Sequence, residues 1–381
     1  MRRSAYALFL AALLAAPFVP TPSAHASGLT LPPDGDNQHA QVSQWIGLVK
    51  ITVDYHSPDV HDPEGRDRSG HIWGELVPYG LTDLGFRDCK ECPWRAGANE
   101  NTTIAFSHDV RVEGQPVAAG VYGVHMIPGK ESWTLILSRN STSWGSYSYD
   151  PKEDALRVTV KPQPSEYHEW LTYEFTDRQR DKATCALRWE KLSVPFTITV
   201  PDMDELYFAQ IQREMRNEPS FTWVNWERAA QFCLSRRIHL DQGLVWAQGA
   251  VTTPFFGEAN FTTLKTLSQL QLANGQRDAA LKSFERAMTM SGASPMAVHQ
   301  FGRELQGMKE DAMALNVFQM NAKRFPNQWP VELGLARALA NKGDKAQAVA
   351  HAKLALKHAP DEPARKNVQA LIDQWSAPGA R

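Results

Sequence analysis

The sequence predicts a multidomain protein of class β then all-α, with an N-terminal antiparallel β-sandwich and a C-terminal α-solenoid of helix pairs. Two observations carry this prediction. In residues 41–201, apolar residues recur at every second position in short runs that Gly- and Pro-containing turns separate. In residues 258–376, small and apolar residues recur with a helical period, and the pattern repeats every 34 residues. We expect a helical connector at residues 202–257.

Residues 1–26 have the pattern of a secretory signal peptide. Arg2 and Arg3 give a basic start, a mostly apolar run follows, and Ala24 and Ala26 are small residues at the spacing that a signal peptidase recognises. The run is shorter than the roughly 20 residues that a membrane span needs. We expect cleavage after Ala26, a bacterial periplasmic or secreted protein, and no membrane span in the mature chain.

Composition narrows the function classes. The chain has 381 residues, 43% of them apolar and 22% charged, which is ordinary for a globular protein. The formal net charge of -2 argues against a nucleic-acid partner, because such proteins usually carry a basic face.

Four cysteines lie in the predicted mature chain. Because export leads to an oxidising compartment, we expect a small disulfide loop between Cys89 and Cys92, with a metal site or free thiols as alternatives. A zinc site would need two further ligands, so we expect neither a metal nor a cofactor. Cys185 and Cys233 have apolar neighbours at strand and helix spacing, and we expect both in the core.

The β region reads in order as short strands. Residues 48–56, 156–161, 171–176 and 196–200 alternate apolar and polar side chains, and residues 183–189 share the pattern. Glu113-Gly114 is typical of a hairpin turn after residues 110–112. Residues 121–127 and 133–137 are apolar on both faces, with a turn at 128–130 between them. About eight or nine strands of this kind favour a sandwich.

A loop region at residues 65–106 combines glycines, aromatics and polar groups. It contains Gly-His-Ile-Trp-Gly-Glu-Leu-Val-Pro-Tyr-Gly at residues 70–80 and Trp-Arg-Ala-Gly-Ala-Asn at 94–99. With Ala-Gly-Val-Tyr-Gly at 119–123, Trp-Gly at 144–145 and Asp-Ala-Leu-Arg at 154–157, it resembles an exported bacterial family, domain of unknown function 2911 (DUF2911). The resemblance implies a secreted β-rich domain, often followed by helical repeats. The Cys pair lies in residues 81–93, a lengthened link that departs from the commoner family pattern.

Helices are predicted at 202–215, 227–236 and 240–251, before Pro254 and Gly257 break the chain. Ala280-Leu281, Ala314-Leu315 and Ala348-Val349 then recur 34 residues apart, which is typical of tetratricopeptide repeats. Residues 226–251 read as a degenerate first repeat and 363–375 as a closing helix. Stacked helix pairs leave a concave face that can hold a protein or peptide partner, although the array could instead support the β domain or form a dimer.

Candidate catalytic residues are His71, Glu75, Arg95 and Asn99. A His with a Glu can move protons, and an Arg with an Asn can hold a carboxylate or an oxyanion. None of them has a diagnostic catalytic spacing. Three of them also have a structural interpretation: Glu75 could cap a turn, Arg95 could pair with Glu100 or Asp154, and Asn99 is a natural turn residue. His125 reads as a buried strand residue.

Four aromatic residues are candidates for ligand binding, by stacking on a glycan or small molecule: Trp73, Tyr79, Trp94 and Trp144. Core packing is the competing reading. Two function hypotheses follow. The chain is a non-catalytic exported binding or assembly protein, with a β domain for a ligand or envelope partner and repeats for protein docking. Alternatively it is a hydrolase or lyase, which requires the four catalytic candidates to converge in one pocket.

Overall fold

The computed structural model describes residues 37–85 and 89–377. The predicted signal sequence lies outside these described residues. The chain divides into two compact units between Val200 and Pro201. The first unit is built of strands and the second of helices, as the sequence predicts.

The described part of the first unit contains two antiparallel sheets. Its strands are β1 (Gln38–Ile46), β2 (Val49–Ser57), β3 (Thr103–Phe106), β4 (Val110–Val112), β5 (Gln115–Val117), β6 (Gly120–Ile127), β7 (Trp133–Ser138), β8 (Asp154–Val160), β9 (Gln163–Thr176) and β10 (Lys182–Thr199). The larger sheet has the order β1-β2-β3-β6-β7-β8, and the smaller sheet has the order β5-β4-β10-β9. The predicted antiparallel fold is therefore confirmed.

Apolar side chains from both sheets form the core of this unit. Ile51 and Val53 of β2 are fully buried, as are Leu171 and Leu187 of the smaller sheet. Tyr55 of β2 packs edge-on against Tyr173 of β9, with ring centroids 5.0 Å apart. Inward-facing residues that alternate with partly exposed ones explain why the period of two is visible in the sequence.

Two features of the β unit differ from the prediction. The strand β1 was not predicted, because only parts of its polar sequence alternate. The expected separate strands at 183–189 and 196–200 are one strand, β10, which continues through a bulge at Glu190. Glu190 has a φ of 53°, and the pairing with β9 shifts on either side of it. A bulge bends a strand without ending it, so the polar interruption did not mark a turn.

The second unit contains ten α-helices in the described part of the chain: α1 (Met203–Glu214), α2 (Trp223–Arg236), α3 (Leu240–Thr252), α4 (Phe261–Ala273), α5 (Arg277–Met288), α6 (Pro295–Gly307), α7 (Asp311–Arg324), α8 (Trp329–Asn341), α9 (Lys345–Lys357) and α10 (Glu362–Ser376). The helices α4, α6 and α8 begin 34 residues apart, and so do α5, α7 and α9. The sequence period is therefore a structural period. The helix predicted at 227–236 begins four residues earlier, at Trp223.

Large rings and small residues alternate in the helical core. Phe284, Phe301 and Phe318 are fully buried. Helices α6 and α8 each present a glycine to Phe318, since a Cβ added at Gly302 or Gly334 would lie 2.3 or 2.4 Å from its ring. Small residues thus let a ring fill the space between neighbouring helices. Within residues 37–85 and 89–377, no helix is both long and apolar enough to cross a membrane.

Candidate functional site

The glycine-rich loop at residues 70–80 is fixed by hydrogen bonds at both ends. The amide of Gly70 donates to the Glu190 carboxylate at 2.6 Å, so the bulge in β10 anchors the start of the loop. The amide of Gly80 donates to the carbonyl of Pro128 at 2.8 Å. Between them, the buried side chains of Ile72 and Val77 face the core. The loop is therefore a shaped part of the β unit.

Residues 93–102 form a second fixed segment. Trp94 exchanges both backbone hydrogen bonds with Met126 of β6 at 2.8 Å. The carbonyl of Ala96 accepts a hydrogen bond from the Tyr173 hydroxyl at 2.8 Å. Ala96 and Asn99 have φ values of 51° and 54°, which non-glycine residues seldom adopt. The surrounding contacts hold this conformation, as is common where a backbone shapes a binding site.

A cavity of about 380 Å³ lies between these segments, and we call it the β cavity. This volume falls within the range of small-molecule sites. Its polar lining includes Asn37, Arg68, Arg95, Asn99 and Ser146. Its apolar lining includes Pro58, Leu76, Val77, Pro78, Leu84, Pro93, Trp94 and Trp189. An apolar pocket with a few polar groups is the usual form of a ligand site.

Arg95 is the distinctive polar group of the β cavity. Its Nη1 donates to the carbonyl of Asn99 at 2.5 Å, and its guanidinium lies 5.2 Å from the centre of the Tyr147 ring. Gly145 leaves room for it, because a Cβ there would lie 2.5 Å from Arg95 Cζ. No carboxylate of the described residues pairs with Arg95, whereas Arg68 forms an ion pair with Asp59 at 3.4 Å.

A buried His–Ser pair borders the same cavity. Nδ1 of His125 lies 2.9 Å from Oγ of Ser146, and both side chains are almost fully buried. Burial, followed by the nearby positive charge of Arg95, lowers the pKa of His125 to about 4. His125 is therefore neutral at pH 7, in line with its reading as a buried strand residue. Ser146 was not among the predicted candidates, because a single serine in a loop carries no sequence signal.

Four tryptophans form a cluster beside the cavity. Trp73 contacts Trp94, Trp133 and Trp189, with ring centroids 5.2–5.8 Å apart. Trp133 and Trp189 are 1% exposed, so this half of the cluster is core. Of the four predicted aromatic ligand candidates, Trp94 lines the β cavity in the described structure, Trp73 packs behind it, and Trp144 and Tyr79 are exposed.

The four predicted catalytic candidates fall into two separate pairs. His71 Nδ1 lies 3.0 Å from a carboxylate oxygen of Glu75, and both side chains are about two-thirds exposed. Arg95 and Asn99 line the β cavity, but the described lining contains neither His71 nor Glu75. The convergence that a hydrolase or lyase site requires is therefore not observed among these four residues.

Two proposed ion pairs of Arg95 are also not formed. Glu100 instead lies 3.1 Å from His56 Nδ1. Asp154 instead accepts hydrogen bonds from Tyr149 and Arg157. The network around Tyr149 raises its pKa well above the usual value, mainly because the hydroxyl is partly buried and donates to Asp154.

The cysteines have distinct environments. Cys89 and Cys92 are joined as a disulfide, with Cα atoms 5.6 Å apart. Thr82 and Cys92 exchange backbone hydrogen bonds at 3.0 Å, which join the two ends of the segment that contains the disulfide. Cys185 and Cys233 are buried free thiols, and burial raises the pKa of both. Among the described residues, no group of three or more His, Cys, Asp or Glu is placed to hold a metal ion.

A second cavity, of about 500 Å³, lies along helices α2, α4 and α6, and we call it the repeat groove. Its lining consists of Gln231, Leu234, Ser235, Arg237, Leu240, Gln269, Leu272, Ala273, Glu304, Met308 and Glu310. Amide and carboxylate groups connect the three helices across it. Gln231 donates to Thr266 of α4 at 2.8 Å, and Gln269 donates to Glu304 of α6 at 2.8 Å.

The fold and the two cavities define a class of protein, a two-sheet β unit followed by paired helices. Residues 37–198, the β unit, match the family described as "Protein of unknown function (DUF2911)". This match confirms the resemblance that the sequence motifs predict for the β unit. No curated protein matches the sequence.

Three solved structures illustrate the likeness of part of this chain to known proteins. The crystal structure of MamA is 13% identical, covering 44% of this chain and 92% of that chain, with a TM-score of 0.31. YrrB, described as a TPR protein with an unusual peptide-binding site, is 16% identical, covering 44% and 84%, with a TM-score of 0.29. PcrH from Pseudomonas aeruginosa is 19% identical, covering 31% and 92%, with a TM-score of 0.25. The likeness is low, and the 34-residue period of this chain rests on its own helices.

Proposed function

We propose that this protein is an exported, non-catalytic binding protein whose helical repeats dock a polypeptide and whose β unit holds a ligand. The repeat groove carries the docking half of the proposal. The helices α2, α4 and α6 are each the first helix of a pair. They present Gln231, Gln269 and Glu304 along one groove. Side-chain amides and carboxylates can accept and donate the hydrogen bonds that an extended peptide backbone needs.

The chemistry of the groove supports a peptide occupant. Leu234, Leu272 and Met308 supply apolar surface, and Met adapts readily to different side chains. The amides of Gln231 and Gln269 are held by neighbouring helices, so less conformational entropy is lost on binding. The β unit supports the ligand half through the β cavity and its fixed walls. Export is supported by the signal-like pattern of residues 1–26.

Peptide display on the full chain tests the docking half. Synthetic versions of the enriched peptides are measured against the wild-type protein and Ser235→Trp, which places a large ring in the groove at an exposed position. We expect peptide affinity to fall at least about tenfold in this variant. Glu285→Trp adds the same ring at an exposed position of α5 outside the groove lining, and it should bind normally. Peptides that bind Ser235→Trp as well as the wild-type protein would refute groove docking.

A further inference from the structure

We propose that the β cavity binds a small monocarboxylate with a flat apolar body, and that Arg95 receives the carboxylate. This inference rests on the proposal that the β unit holds a ligand, and it names the chemical class of that ligand. Three properties of the cavity lead to it: a positive charge without a carboxylate partner among the described residues, hydrogen-bond donors beside that charge, and flat apolar walls.

The charge comes from Arg95. Within residues 37–85 and 89–377 it has no carboxylate partner, and one of its N–H groups donates to the Asn99 carbonyl. The stacking on Tyr147 and the close approach of Gly145 fix the plane of the guanidinium. Its remaining donors form the rigid fork that matches a carboxylate with two parallel hydrogen bonds. A cation that is fixed in a cavity wall, with no carboxylate partner in the described part of the chain, favours an anionic ligand.

The hydrogen-bond donors beside Arg95 come from the side-chain amides of Asn37 and Asn99. Nδ2 of Asn37 donates to Oδ1 of Asn99 at 3.1 Å, which fixes both side chains. This bond leaves the Nδ2 group of Asn99 to donate to a ligand oxygen. The positive φ of Asn99 places its carbonyl towards Arg95, and its side chain lines the cavity. Arginine and amide together therefore present donors to one anion.

The walls select the rest of the ligand. Trp94 lines the cavity and stacks on the almost fully buried ring of Trp189, with an interplanar angle of 16°. Leu76, Val77 and Pro78 line it as well. A flat apolar body suits such surfaces because aromatic side chains prefer offset or edge contacts with other rings.

The charge count favours a carboxylate over a phosphate. The second cation of the cavity, Arg68, is already paired with Asp59, and it also donates to the carbonyl groups of Asp59 and Val60. The guanidinium of Arg95, which has no carboxylate partner among the residues that the structure describes, balances one negative charge, whereas a phosphate carries up to two at pH 7. A ligand with a single negative charge therefore leaves no unbalanced charge in the partly apolar cavity.

Ligand-observed NMR on the full chain tests the proposal with three probes: benzoate, benzamide and inorganic phosphate. We expect millimolar or tighter binding of benzoate, and binding of benzamide and phosphate at least about tenfold weaker. Arg95→Gln should weaken benzoate binding at least about tenfold, and Asn99→Gly should weaken it by a smaller factor while it keeps the positive φ.

Arg111→Gln is the matched control, because Arg111 also donates to a backbone carbonyl but is exposed on β4 and outside the described cavity lining. It should bind benzoate like the wild-type protein. Near-ultraviolet circular dichroism checks that the tryptophan cluster is intact in every variant. Absence of benzoate binding, equal binding of benzamide, or wild-type binding by a folded Arg95→Gln each overturns the proposal. Ser235→Trp should keep benzoate binding, so failure of peptide docking is a separate result.

Discussion

At the residue scale, two buried histidines make stability depend on pH. The pKa of His125 and of His299 is lowered to about 4, mainly by burial and in smaller part by a nearby arginine. An unfolded histidine has a pKa near 6.5. As pH falls from about 6.5 to about 4, the unfolded chain therefore binds protons that the folded chain does not. We expect each histidine to lower the free energy of unfolding over this window by up to about 3 kcal/mol.

NMR titration of the folded protein measures the pKa of each histidine directly. The ring signals of His125 and His299 should stay unchanged down to about pH 5.5 and pass through their midpoint near pH 4. His61 is the internal comparison, since its hydrogen bond to Glu169 raises its pKa, and the stability it contributes is lost as pH rises through that raised value. A His125 or His299 ring that titrates near pH 6.5 in the folded protein would contradict the burial argument.

The residues of the β cavity show which side chains of a site can be predicted from the sequence and which cannot. Arg95 and Asn99 were predicted as a pair because arginine and asparagine suit anionic groups, and the structure places both in the cavity lining. Ser146, Asn37 and Trp189 were missed, because tertiary contacts over long sequence separations bring them to the cavity. The hydrolase or lyase alternative required His71 and Glu75 to converge with Arg95, but loop geometry, which no periodic pattern encodes, leaves them exposed.

At the element scale, a pair of glycines in α6 tests the packing of the repeats. An added Cβ at Gly302 would lie 2.3 Å from the fully buried ring of Phe318, whereas at Gly307 it would meet no atom within 4 Å. Gly302→Ala forces the core apart, and we expect a net loss of about 1–3 kcal/mol in the free energy of unfolding. Gly307→Ala gains helix propensity without a clash, so its effect should be neutral or stabilising by up to about 1 kcal/mol.

Chemical denaturation followed by the circular dichroism of the helices measures both variants. The two substitutions are identical and lie in the same helix, so their difference reports the space around Phe318. Equal stabilities for Gly302→Ala and Gly307→Ala would show that the ring of Phe318 moves aside freely, contrary to the close packing expected of a protein core.

Elements with a strong periodic signal were predicted well, and irregular ones were not. The starts of α4, α6 and α8 follow the 34-residue period because each repeat buries the same face against its neighbours. The turn at Glu113 and Gly114 has two positive φ values of 47° and 79°, as that sequence indicates for a two-residue hairpin. The bulge at Glu190 escaped prediction, since it depends on the pairing with β9 and on the Gly70 amide.

At the scale of the whole molecule, the predicted export determines both the mature N-terminus and the oxidation state of the cysteines. Export through cleavage after Ala26 would leave a chain that begins at Ser27, which the intact mass of the protein recovered from the exported fraction would show. An oxidising compartment preserves the Cys89–Cys92 disulfide, while Cys185 and Cys233 stay reduced because they are buried in separate units.

Alkylation followed by mass spectrometry counts these thiols in three steps. The native exported protein should react slowly or not at all, because the thiols of Cys185 and Cys233 are buried and burial raises their pKa. Denaturation without a reductant should expose two reactive thiols, and reduction should then expose four. Cys89→Ser is the control: its denatured form should show three thiols without reduction, because Cys92 loses its partner. Four reactive thiols in the denatured, unreduced exported protein would show that Cys89 and Cys92 are reduced in that compartment. The disulfide could not then hold the link between Thr82 and Cys92 beside the β cavity.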